Sequence, residues 1–327
     1  MIEKEYIYIL KAFAIFGVIC AHVSFVQEDA DVISIKCGEL LNYFGTIGVP
    51  IFMILSGYLF EKNKKNFAEF WKKKLISIVI PWIFCETLLW LYIVVRKGGA
   101  SFLKWLLFVL GYNHSTYYLS VLFILYILFW GKIKNWKLYI MFALSIFSIV
   151  STGWHIGINY MNSLFGTFYL NPLNWVSFFV VGIIISKKNL LIKYAEWCSQ
   201  WMVLLIVLSS TYFTIMVNKG EVIYYFSKYA LFAHMINVSF VMGIGYFFLR
   251  YDKKKVLIFI GEISFSIYLL HQFITGAVIQ ITSKINSFFI ILMRPYIVLI
   301  IILPIVFIVK NVKKDKYRIL KLLIGLR

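Results

Sequence analysis

Runs of about 20 apolar residues, interrupted by short polar stretches, recur along the whole chain. In order they predict ten membrane-spanning helices, at about 7–27, 42–60, 75–95, 116–131, 136–153, 172–187, 201–218, 229–249, 257–281 and 288–310. The expected fold class is an all-α polytopic membrane protein. An even count places both termini on one side. The fourth run is short and the tenth carries Arg294 and Pro295 near its start, so the pattern draws those two boundaries least sharply.

The stretches between the runs have characters of their own. Residues 63–74, N-K-K-N-F-A-E-F-W-K-K-K, put Phe67, Phe70 and Trp71 on one side of a basic helix, the pattern of a segment lying on a membrane surface. Such a segment either anchors on anionic lipid or meets an anionic donor. Segment 101–111 is too short to span and is expected at the outer surface. Glu28, Asp29, Asp31 and Glu39 make 28–41 a solvated loop. Connection 154–171 is rich in aromatics, Asn and Gly, with His155 its only titratable cation. It suits either stacking on a sugar face or an interfacial lid.

Polar residues inside apolar runs are expensive in lipid and mark candidate sites. Lys11 and His22 stand eleven positions apart, about 20° apart around a helix after three turns, and about 16 Å apart along it. They lie on one face, able to serve two ends of an extended ligand, or else each snorkels to its own surface. Glu86 lies well inside the third run, five positions past Pro81. It must be protonated, be paired with a cation such as Lys11 or a His, or line a wet cavity. His234 on an apolar face fits a hydrogen-bonded structural residue, and His114, Tyr117 and Tyr118 fall at the mouth of the fourth run. The second run is punctuated by Gly45, Gly48, Pro50, Ser56 and Gly57, which permit close helix approach and free backbone groups that must be satisfied within protein.

Charge then gives orientation. The net charge of +19 would suggest a nucleic-acid partner in a soluble chain, but here 24 of the 33 Lys and Arg fall in the terminal segments and on the connections of one side. That asymmetry predicts cytoplasmic termini, with Lys11 toward the cytoplasm and His22 toward the outer surface. No nucleic-acid partner is expected. The N-terminal run lacks a small-residue cleavage site and reads as an uncleaved span.

Hydrophobic residues make up 62% and charged residues 14%, outside the range of a soluble domain. No stretch is polar enough for a separate globular domain, so residues 1–327 are expected to form a single transmembrane domain with a basic, lipid-facing tail at about 311–327. Cys20, Cys37, Cys85 and Cys198 have neither paired nor metal-ligand spacing, so neither a disulfide framework nor a metal is expected.

Three stretches, taken together, carry a family resemblance. The Lys11 to His22 helix, the run into S-G-Y-L-F at 56–60, and G-E-I-S-F-S-I-Y-L-L-H at 261–271 resemble, in order, signatures of the membrane-bound acyltransferase 3 family. In the last stretch Ser264, Ile267, Tyr268 and His271 share one helix face by their spacing. One departure stands out: where the family carries R-R-x-x-R-x-x-P, this chain has lysines before Pro81, so bidentate arginine recognition of phosphate does not carry over.

The resemblance implies transfer of an acyl group, most often acetyl, from cytoplasmic acyl-CoA to a hydroxyl of a surface polysaccharide or lipid-linked glycan. In that scheme His22 is the base and Lys11 holds the donor. His271 and Glu86 are supporting candidates for orienting base or acceptor, alongside Ser264 and Tyr268. Expected partners are the bilayer, acyl-CoA, the glycan acceptor and polysaccharide synthesis proteins. The rival is a transporter or flippase that exports such a glycan, although no internal repeat with matched broken helices is present. A third reading, a non-catalytic subunit of a synthesis complex, predicts that His22 and Lys11 tolerate conservative change.

Overall fold

The computed structural model describes residues 2–27, 29–63, 66–112, 116–131, 133–154, 165–220, 225–226, 229–252, 254–283, 285, 287–312 and 317–326. Among these residues every regular element is helical. In chain order the helices are α1 (Ile2–Val23), α2 (Val32–Gly45), α3 (Gly48–Asn63), α4 (Phe67–Lys74), α5 (Ile80–Lys97), α6 (Phe102–Val109), α7 (Tyr117–Leu128) and α8 (Asn135–Gly153). They continue with α9 (Leu173–Lys187), α10 (Leu191–Gln200), α11 (Met202–Asn218), α12 (Ala230–Leu249), α13 (Lys255–Glu262), α14 (Ser264–Thr282), α15 (Phe288–Asn311) and α16 (Arg318–Leu323).

Seven helical stretches among the described residues are long and apolar enough to cross a membrane, or eight if α9 and α10 count together. The protein is thus an all-α, multi-pass membrane protein. Runs 116–131 and 201–218 correspond to the shorter apolar helices α7 and α11. The expected loop 28–41 is helical from Val32 onward. Asp31 caps α2, accepting from the Ser34 amide (2.9 Å) and the Ser34 hydroxyl (2.6 Å). Its acidity therefore serves a helix start. The basic segment 63–74 leads into the third span through a five-residue π-helical turn, Leu75–Val79, just before Pro81. Pro81 lacks an amide and its ring crowds the carbonyl four residues back, and the wider turn relieves both. Tyr117 and Tyr118, at the mouth of the fourth run, are buried. His114 and His155 lie outside the described residues, as does most of connection 154–171.

Two compact units are formed. The first is Met1–Phe52 with Asn189–Phe307, and α1 is its hub, packed by α2, α12, α13 and α14. Tyr6, Ile9, Ala14, Ile15, Ile19 and Val23 of α1 are wholly buried. Small residues make this possible: a Cβ at Gly45 would meet that of Ala21 at 2.4 Å, and one at Gly48 would meet the Ala14 carbonyl oxygen at 2.8 Å. At the start of α1, Tyr6 donates to the Met242 carbonyl (2.8 Å) and Glu5 pairs with Lys254 (2.9 Å). His234 is buried with Nε2 2.7 Å from the Tyr225 carbonyl, the structural role expected of it.

The second unit is Met53–Lys188 with Ile308–Arg327. Here the S-G-Y-L-F stretch finds its physical meaning. A Cβ at Gly57 would come within 2.1 Å of the Phe179 carbonyl oxygen, and one at Gly182 within 2.0 Å of that of Ile54. Two glycines thus let α3 and α9 touch backbone to backbone. Ser56 bonds Tyr118 (3.0 Å), and Phe60 stacks on Tyr126. Lys74 donates to the Tyr126 hydroxyl (3.0 Å) over the ring face, so its cation is held by an aromatic cluster. On α8, Ser145 accepts from the Ser177 amide and Ser148 donates to Asn174, forming a polar seam with α9.

Candidate active site

The site is built on α1 and the 261–271 stretch, both within the first unit. Residue 22 is the last but one of α1, where the helix has run out of amides to pair its carbonyls. His22 is half-buried there, and its ring makes no hydrogen bond among the described residues. The centroid of His271 stands 5.0 Å away, the two imidazoles tilted by 43°. His271 is completely buried on α14, with Nδ1 2.6 Å from the carbonyl oxygen of Tyr268. A carbonyl only accepts, so Nδ1 carries a proton and Nε2 is the nitrogen left to exchange one. The Tyr268 ring lies 5.6 Å from that of His271.

Ser264, Ile267, Tyr268 and His271 are all buried, and so are Ser266 and Leu269, so burial around this part of α14 does not single out one face. The four expected residues also reach beyond the imidazole pair. Ser264 opens α14, seven positions before His271, about 10 Å along the axis and out of reach of the imidazole pair. Gly261 lies further back, and a Cβ there would fall 1.8 Å from the Tyr8 carbonyl oxygen. Tyr8 is one turn from Lys11, whose half-buried ammonium sits 5.7 Å from the Tyr8 ring centroid. The 261–271 stretch therefore runs parallel to α1, from near Lys11 to His22.

A family model described as an acyltransferase domain, that of the acyltransferase 3 family, matches residues 4–309. The chain belongs to the acyltransferase 3 family. It is accordingly a membrane-embedded acyltransferase, and the match takes in residues of both units. Comparison with curated proteins and with solved structures gives no match.

Of the other candidate residues of this acyltransferase, Glu86 belongs to the second unit. It is 2% exposed on α5 and accepts from the Thr116 hydroxyl. Among the described residues no group of three or more His, Cys, Asp or Glu could hold a metal ion. Arg294 was legible in the sequence only as an awkward residue near the start of the tenth span. It is 2% exposed and bonds both to the end of α1 and to the end of α14. The signal that marks it is the arginine itself, since a guanidinium within an apolar run must find partners.

Proposed function

We propose that the protein transfers an acyl group, acetyl in the simplest case, from acyl-CoA on the cytoplasmic side of a bacterial cytoplasmic membrane to a hydroxyl of a surface polysaccharide or lipid-linked glycan. The observation that carries this reading is the His22–His271 pair, one imidazole half-buried at the end of α1 and the other fully buried with its Nδ1 proton committed to a carbonyl. An imidazole, with its ordinary pKa near 6.5, can take a proton from an alcohol as it attacks. In this scheme His22 removes the acceptor hydroxyl proton, the oxygen bonds to the thioester carbonyl carbon, and the carbon–sulfur bond then breaks. The leaving thiolate takes the proton back from His22, giving ester and free CoA thiol. His271 abuts the base and sets its ring orientation. Lys11, at the other end of the same α1 face, offers its ammonium to the anionic donor, and the pantetheine arm runs along α1 toward His22.

The charge asymmetry of the connections supports cytoplasmic termini. So does parity. Because 261–271 runs in the same direction as α1, an odd number of crossings must separate them. The ten-span reading places seven between them and the reading that joins α9 and α10 into an eighth span places five, whereas the seven long stretches alone place four, so both even counts fit and each puts the two termini on one side. Glu86, buried in the second unit, is kept as a candidate for orienting the base or the acceptor.

The test is the acyl content of surface glycans, by mass and NMR, in cells carrying wild-type protein, a deletion, or His22→Ala at matched membrane abundance. Loss of one O-acyl signal in both variants, with glycan still exported, supports the acyltransferase and identifies its acceptor. Normal acylation in His22→Ala would sink the assignment of the base. Intracellular glycan build-up in the deletion, with His22→Ala exporting normally, would point to transport.

A further inference from the structure

Arg294 lies on α15 beside Pro295, inside an otherwise apolar helix. Its guanidinium is spread over three oxygens, none of them charged. Nε donates to the Thr282 hydroxyl (2.9 Å), and Nη1 donates to the carbonyls of Val23 (3.3 Å) and Phe25. Val23 is the final residue of α1, and Thr282 is the final residue of α14. Thr282 in turn donates its own proton to Val278 (2.6 Å), which turns its oxygen lone pairs toward the arginine.

One planar cation thus ties together the ends of the two helices that carry His22 and His271. It satisfies a terminal carbonyl of α1 that has no amide partner and complements the negative end of that helix. It also holds Phe25, two residues beyond the helix, so that the chain leaving His22 cannot fray. We infer that Arg294 is the positioning residue of the site: it fixes the His22 imidazole against His271 by clamping both helix ends, and it touches neither the donor nor the acceptor.

This inference rests on the proposed role of His22, so its test has an arm that does not. Lysine keeps the charge but loses the fork needed to reach a hydroxyl and two carbonyls at once. In membrane vesicles given radiolabelled acetyl-CoA, with label read in the endogenous glycan acceptor, Arg294→Lys is expected to lower kcat about 100-fold, as a misplacement of about 1 Å does. KM for acetyl-CoA should stay within about twofold, since Lys11 and not Arg294 faces the donor. Thr282→Val should fall in the same direction by less. Arg294→Ala should be rescued several-fold by added guanidinium ions.

The independent arm replaces both imidazoles, His22→Cys with His271→Cys, and follows trapping by a short thiol-specific crosslinker. Adding Arg294→Lys should slow crosslinking several-fold. If crosslinking is unchanged, or if Arg294→Lys raises KM and leaves kcat intact, the positioning role is overturned whatever the chemistry of His22. If crosslinking slows while His22→Ala still transfers label, the clamp stands and the catalytic reading of His22 falls.

Discussion

At the scale of single residues, what the apolar pattern could and could not convey is clear from two histidines and an arginine. His22 and His271 each announce themselves as polar groups in apolar runs, and the residues singled out by spacing, Ser264, Ile267, Tyr268 and His271, are all buried, although Ser266 and Leu269 between them are too. That the two imidazoles meet at 5.0 Å is a fact about packing between helices, which periodicity along one helix does not encode. Arg294 was harder still, because two of its partners are backbone carbonyls some 270 positions away, and a carbonyl has no signature in a sequence. Asp31 is the opposite case, a residue whose chemistry was visible and whose use was not. Its carboxylate, bonded by the Ser34 hydroxyl and amide, is held below the usual carboxylate range. A depressed folded value stabilises the start of α2 above the unfolded value, and that support is lost as the pH falls through the folded value. Asp31 is exposed, so the effect is local. The protection factor of the Ser34 amide, its exchange rate relative to the intrinsic rate at each pH, should fall on acidification, and in Asp31→Ala it should already be low at neutral pH and change no further with acid.

At the scale of elements, the glycines divide into those that allow helices to touch and those that do not. Ala at Gly57 would drive a methyl onto the Phe179 carbonyl, and Ala at Gly261 onto that of Tyr8. Both contacts are with backbone, which cannot rotate away, so each substitution should cost about 1–3 kcal/mol as overpacking. Gly276, on α14, has no atom within 4 Å of its would-be Cβ, and there Ala should be neutral or favourable by up to about 1 kcal/mol through helix propensity. Thermal unfolding in detergent of the three Ala variants checks the ranking, and equal melting points would refute it. Gly261→Ala should in addition reduce transfer, since it pushes 261–271 away from the α1 face that carries Lys11 and His22. The glycine-punctuated second run did signal close approach. Which helix each glycine faces was not readable, because the partner is specified by the whole packing arrangement.

At the scale of the molecule, the hydropathy pattern captured the class, all-α and multi-pass, and placed most apolar helices within a few residues, while seven or eight helical stretches among the described residues, not ten, are long and apolar enough to span. The C-terminal tail was expected to be basic and lipid-facing. Part of that tail is folded into the second unit. Helix α16 packs on α5, Cys85 Sγ lies 3.6 Å from the Leu323 carbonyl oxygen, and Lys321 donates to the Lys310 carbonyl (2.7 Å). Leu322 and Leu326 face Lys73, Ile76 and Ser77 across a shared groove. The apolar spacing of R-I-L-K-L-L is too brief for a periodicity argument, which is why the docking was not foreseen. Removing residues 317–327 should lower the melting temperature and expose Cys85 to thiol reagents while leaving membrane insertion intact. Unaltered Cys85 labelling would show that the tail does not seal α5.

The docking of α16 also has a consequence for biosynthesis. Chains emerge from the ribosome N-terminus first, and α5 is made more than 200 residues before the segment that covers it. Throughout that interval the second unit waits with one flank uncovered, open to holdases or to premature contacts. Its closing step therefore waits on the synthesis of α16, whereas the contacts between α1 and α2 can form as soon as both have left the exit tunnel.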